Sequence, residues 1–161
     1  MPNTNNYAPT RENLLLGDEL FVYAQISDVE GGQWEPVAFS TSCSLNISSD
    51  SIDTSNKMAG VWSSALPGKI SWTVSTESLM SYSTTGYQYF YDKITSREAF
   101  KLRFGQANSV ESANFSLNTT KVYYEGEAYC TSCNLSADNG GVCTMSIEFT
   151  GNGELKKVTA I

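Results

Sequence analysis

The chain of 161 residues carries 10 Lys and Arg against 17 Asp and Glu, four cysteines and no histidine, for a net charge of −7. That length fits one domain with a real core and not two, and without a stripe of basic residues interleaved with aromatics, tight nucleic-acid binding lacks its electrostatic footprint. The missing histidine removes Ser-His-Asp and Cys-His catalysis and HExxH zinc sites, and the glycines never fall in the order of a phosphate-cradling loop.

Residues 1–16 read as an Asn-rich arm with Pro2 and Pro9; they lack the charged-then-apolar order of a signal peptide, and no run along the chain reaches the length of a membrane span. "ELFVYAQI", 19–26, reads as a first strand that is apolar on both faces. A turn with Gly31-Gly32 at its tip leads to a second strand over Val37–Ile47, alternating apolar with small polar residues, the mark of a sheet with one face buried and one wet. Residues 50–68 follow. A hairpin needs two to five connecting residues, and a connection of nearly twenty is usually functional. This one holds Gly60 and Pro67-Gly68, yet also Met58, Val61, Trp62 and Leu66, more apolar surface than a solvent loop needs.

Alternation resumes in a third strand over Lys69–Glu77, with Ile70, Trp72 and Val74 on one side. Between about 86 and 97, Tyr87, Phe90, Tyr91 and Ile94 recur at helical spacing, predicting one flanking helix. A short strand, 99–104, and a polar loop lead to a long strand over Val122–Ala137. The turn 138–141 closes a hairpin onto Val142–Thr150, and 151–161 form a tail without a helix. The expected architecture is mainly β: one domain over 17–150 with one helix and a long connection at about 50–68, bracketed by an arm at each end (1–16 and 151–161).

Little in the chain suggests a reactive centre. Cys130 and Cys133 form a C-x-x-C, a spacing that can signal redox chemistry or half a zinc site, but within a strand positions i and i+3 point to opposite faces. By alternation Cys43 falls in with Val37, Phe39, Leu45 and Ile47. Cys143 goes with Met145, Ile147 and Phe149, and Cys133 with Tyr129 and Leu135. These three read as small buried hydrophobes. Glu125 and Glu127 share a strand face, an arrangement a glycosidase uses, although a solvated acidic face is the commoner meaning. Of the three tryptophans only Trp62 resists a core explanation, and stacking aromatics keep open a surface carbohydrate-binding module or pilin-like adhesin. Sequons at Asn46, Asn114, Asn118 and Asn134 arise readily in a Ser/Thr-rich chain.

The order of features is itself distinctive. "LLLGDELFVYA" opens the first strand, "AFSTS" and "IDTSNK" flank the second, "WSSALPGKISW" enters the third, and "FTGNGEL" closes the chain's last hairpin. Over about residues 14–155 the chain resembles the major tail tube protein of long-tailed bacteriophages. The resemblance implies a β-sandwich or flattened barrel with one flanking helix and a long assembly loop at about 50–68, and a structural virion protein, not an enzyme, with no cofactor or metal. Six copies would form a ring, and rings would stack into the tail tube through which DNA is ejected. Implied partners are further copies of the chain, the tail terminator, the tail tip or baseplate, and the ruler (tape measure) protein in the lumen; DNA would pass without specific binding and no membrane would be entered. The chain would be made in the host cytoplasm and end in the virion tail. The inner tube of a contractile tail or injection system shares this ring geometry and is a second alternative. The long loop would join rings, with Asp53, Lys57, Met58, Val61, Trp62, Leu66 and Pro67 at the contact. Glu77, Glu125, Glu127 and Glu148 are candidates for an acidic lumen lining that repels phosphate.

Overall fold

A computed structural model describes residues 14–26 and 32–159. Most of the expected N-terminal arm, the start of the 28–36 turn and the last two residues lie outside that range. After a 3-10 turn at Gly17–Glu19 the described residues form nine strands and one α-helix: β1 (Leu20–Gln25), β2 (Trp34–Pro36), β3 (Ser40–Asp53), β4 (Ala65–Leu79), α1 (Tyr87–Ser96), β5 (Phe100–Ser109), β6 (Asn114–Leu117), β7 (Tyr123–Ser136), β8 (Thr144–Gly151) and β9 (Lys156–Val158). All pairings are antiparallel, in the order β2-β1-β5-β7-β8-β4-β3, with β6 beside β5 and β9 beside β7. The sheet curls until the Cys43 thiol on β3 reaches the Leu20 carbonyl at the start of β1, 3.5 Å away.

Inside the curl lie Val22 and Ala24 of β1, Leu102 of β5, Ala128 of β7, Ile147 and Phe149 of β8, and Trp72 and Val74 of β4. α1 closes this face. Phe90 is fully buried, its ring centroid 5.4 Å from that of Phe149, and Tyr89 donates its hydroxyl to the Gln25 carbonyl at 3.1 Å. The helix is therefore rotated from the expected stripe: Tyr87, Phe90 and Ile94 pack on the core, Tyr89 joins them, and Tyr91 is exposed.

Trp72 fastens the C-terminal segment. Its indole N–H donates to the Gly153 carbonyl at 3.0 Å. The ring lies flat against Gly126 and Gly151; a Cβ on Gly126 would sit 2.6 Å from it, and one on Gly151 would overlap it. β9 then pairs with β7, Lys156 opposite Glu125. The segment read as a C-terminal arm is thus held on its own chain as far as Val158.

Register shifts correct the alternation. The β7–β8 register slips between Cys130 and Ser132, so Cys130 faces Phe149 and Cys133 faces Ile147. A bulge at Thr131 thereby puts both thiols on the core side, where strict alternation predicts opposite faces. Cys130 is the most buried of the four cysteines; burial pushes its thiol pKa up to about 12 and that of Cys133 to about 11. The β3–β4 ladder shifts as well, between Ser40 and Ser42 and between Ser49 and Ser51.

Candidate assembly surface

β3 and β4 do not stop where the sequence suggests. The ladder runs from Ser40 opposite Ser78 to Asp53 opposite Ala65, while β8 pairs with β4 only between Thr73 and Leu79. Beyond Thr73 the hairpin leaves the body as a two-stranded ribbon. The connection shrinks from the expected 50–68 to 54–64, and three of the residues assigned to it belong to strands: Asp53 lies opposite Ala65, Leu66 opposite Ile52 and Pro67 opposite Ser51. Pro67 fits because β4 is paired on one side only there, so the N–H that proline lacks is not needed by a second neighbour.

The tip is built rather than loose. Thr54 and Ser64 close it through a backbone bond of 2.9 Å and a hydroxyl pair at 2.9 Å. The Asp53 carboxylate accepts the Ser55 N–H at 2.8 Å, and hydrogen bonds from Ser55 hold its pKa below the ordinary carboxylate value. Asn56 accepts the Met58 N–H at 2.8 Å. With the backbone satisfied locally, the side chains point outward. Met58 and Val61 are each 95% exposed and Trp62 81%. Lys57 stands beside them. The ribbon adds exposed Ile47, Ile52, Leu66 and Ile70. Large apolar groups gathered on one projection mark a contact surface.

The four candidate acids share one sheet face, the one turned away from the core. Glu77 is opposite Ser146, Glu148 opposite Ser75 and Ser132, and Glu127 opposite Lys101. Their surroundings differ. Glu125 is paired with Arg103, Nε to Oε2 at 3.1 Å; that guanidinium stacks 4.0 Å over the Trp34 ring. Glu127 accepts from Asn152 at 3.2 Å. Glu77 and Glu148 stand in a field of Ser and Thr. Alternation found this shared face; nothing in the sequence signalled that Arg103 neutralises Glu125. Trp34 lies under Arg103 and Trp72 inside the core, leaving Trp62 as the tryptophan free to meet a partner.

Among the described residues the end strands β2 and β3 of this open sheet each have one unpaired side and an apolar ribbon stands clear of the body, features of a structural subunit and not of a catalytic cleft. A family model for phage tail tube proteins matches residues 16–157, and the chain belongs to that family. No curated protein matches by sequence. Among solved structures, the tail of an empty gene transfer agent particle, refined with C6 symmetry, superposes with a TM-score of 0.69 at 17% identity, covering 89% of this chain and 98% of that one. The SPP1 tail tube gives 0.70 at 16%, covering 92% and 81%. The sheath–tube complex of PVC, an extracellular contractile injection system, gives 0.64 at 18%, covering 94% and 95%. The fold expected from the sequence is therefore the fold observed, and the chain's role is that of a structural tube protein.

Proposed function

We propose that this chain forms hexameric rings that stack into a tail tube, the β3–β4 tip joining one ring to the next and the acidic sheet face lining a lumen that carries DNA. The observation that carries the reading is the ribbon: a hydrogen-bonded tip presenting Met58, Val61 and Trp62 to solvent in the single chain. Such groups are covered in the assembled state, each fully buried large side chain contributing roughly 1.5–3 kcal/mol. The lateral ring contact uses the free sides of β2 and β3, edges available for strand addition. The lumen assignment is supported by the Ser/Thr/Glu character of the outer face, which offers a passing phosphodiester chain little to bind. Terminator, tip or baseplate, and ruler proteins meet the same surfaces at the tube ends and in the lumen, and the protein resides in the virion tail as a structural and not a catalytic component. Likeness to the PVC tube supports a sheathed tube as the second reading; co-purification with a sheath protein would favour it.

Negative-stain microscopy of concentrated protein tests this. Rings and tubes are expected from the wild type. Deletion of 54–64 should give a folded particle with unchanged β-sheet circular dichroism that forms no tubes. Persistent wild-type monomers, or tubes from the deletion variant, would sink the reading.

A further inference from the structure

At the end of the β3–β4 ladder opposite the tip lies an open apolar groove of about 580 Å³, with walls that include Phe21, Pro36, Val37, Phe39 and Phe115 and with Glu35 among them. The groove is preformed. The buried Thr85 hydroxyl donates to the Pro36 carbonyl at 2.7 Å, and Leu79 N–H donates to the Phe39 carbonyl at 3.0 Å. Phe39 is the unusual residue: its φ is +50°, a left-handed conformation that glycine or asparagine occupies more readily, yet its ring is 65% exposed. An uphill backbone holding an aromatic ring in solvent points to a use for that ring outside the chain.

We infer that this groove is the socket for the β3–β4 tip of a second copy in the adjoining ring, Trp62 and Met58 entering it and Lys57 meeting Glu35. The inference rests on the tip being the inter-ring contact and names the surface that receives it. Three observations select this occupant. Knob and groove are both apolar and both open in the single chain. Their charges are complementary: among the described residues no ion pair engages Lys57 or Glu35, and the Glu35 carboxylate accepts the neutral Gln33 amide at 2.9 Å. Their placement suits stacking: Ser40 and Asp53 are separated by a strand on the order of 40–45 Å long, so knob and socket sit at opposite ends of one ladder. A contact of that kind is heterologous and propagates by translation instead of closing on a two-fold axis. A second apolar hollow, between Ile47, Ile70, Trp72 and Leu155, lies midway along the ladder, where the tip would enter only if rings overlapped by half the hairpin.

A photo-crosslinking benzoylphenylalanine at position 62, in tubes of the otherwise intact chain, tests the pairing. Crosslinks to segment 33–40 or to Phe115 of another copy are expected. Crosslinks to the Ile47–Leu155 hollow, or between tips, overturn the socket. Charge exchange gives an independent reading. Lys57→Glu and Glu35→Lys should each raise the protein concentration needed for tubes at least several-fold at low salt, because like charges then face each other. The double variant should return to within about two-fold of wild type; failure to recover counts against the pairing. Phe39→Gly guards against misfolding, since it removes the ring while relieving the backbone: melting temperature should hold or rise while tubes are lost. If Trp62→Ser abolishes tubes and Phe39→Gly leaves them intact, the socket falls and the assembly reading stands. If neither variant affects tubes, both fall.

Discussion

The two halves of β4 share one alternation and meet opposite fates. From Trp72 to Ser78 the inward side chains are buried, with Trp72 only 3% exposed; Ile70, one step earlier on the same face, is 72% exposed. The difference lies in the neighbours. β8 runs alongside β4 as far as Thr73, and beyond it only β3 remains. Periodicity reports that a face is meant to be covered, and is silent on whether the cover comes from the same chain. In the body the cover is β8, α1 and the 151–155 turn. On the ribbon the described residues supply none, and the proposed cover is another subunit.

The strongest way to break the comparison is in the body. Trp72→Ala removes a ring that fills the space over two glycines and holds the Gly153 carbonyl. A loss of about 3–5 kcal/mol is expected, seen as a large drop in the urea midpoint and release of Lys156–Val158 to proteases. A midpoint close to wild type would mean that the C-terminal strand anchors itself. Gly151→Ala attacks the same contact from the other side. Its methyl group would overlap the indole, so Trp72 must shift, at a cost of roughly 1–3 kcal/mol. The two substitutions should be markedly non-additive because they disturb one contact.

These contacts also show what was legible in the sequence. β1, α1, β7 and the turn after it were within reach because hydrophobic period and turn residues coincide there. The ribbon was not. Ser48–Asp53 has little strand propensity and Pro67-Gly68 reads as a stop, but the pairing of β3 with β4 and the shift near Asp50 carry both strands past these signals. β2, β6 and β9 are three or four residues long, too short for any period to register, and the second half of β5 passes for a polar loop. The C-x-x-C was misread for one reason: a single bulged residue, Thr131, inverts the alternation. Among the candidate contact residues, Lys57, Met58, Val61 and Trp62 lie on the tip, the stretch that the sequence marks because apolar side chains beside Gly60 conflict with a solvent loop. The groove around Phe39 escaped because its walls come from β1, β2, β6 and the approaches to β3 and α1, and a left-handed phenylalanine leaves no mark in a sequence.

A smaller effect is expected at the thiols. Cys130 is buried with a pKa raised to about 12, whereas in the unfolded chain the thiol ionises near its ordinary value. The unfolded state therefore binds fewer protons once pH passes about 9, and stability falls from there toward the folded pKa. The slope is about 1 kcal/mol per pH unit for this one thiol. Melting temperatures of the monomer measured from pH 7 to 10 should decline less for Cys130→Ser than for wild type. Parallel curves would place Cys130 in contact with water.

The smallest effect on the single chain belongs to Ile70, and its smallness is the informative part. Ile70→Ser lies on the face that holds Trp72, yet it removes little covered surface within one subunit, so the monomer's stability should change by no more than about 0.5 kcal/mol. In the tube the same residue should lose contact area once for each subunit of every ring. A shift in the concentration at which tubes form, with an unchanged monomer midpoint, would assign the outer half of β4 to the neighbour. A destabilised monomer would return Ile70 to its own core, and the division of β4 into two fates would have to be moved toward the tip.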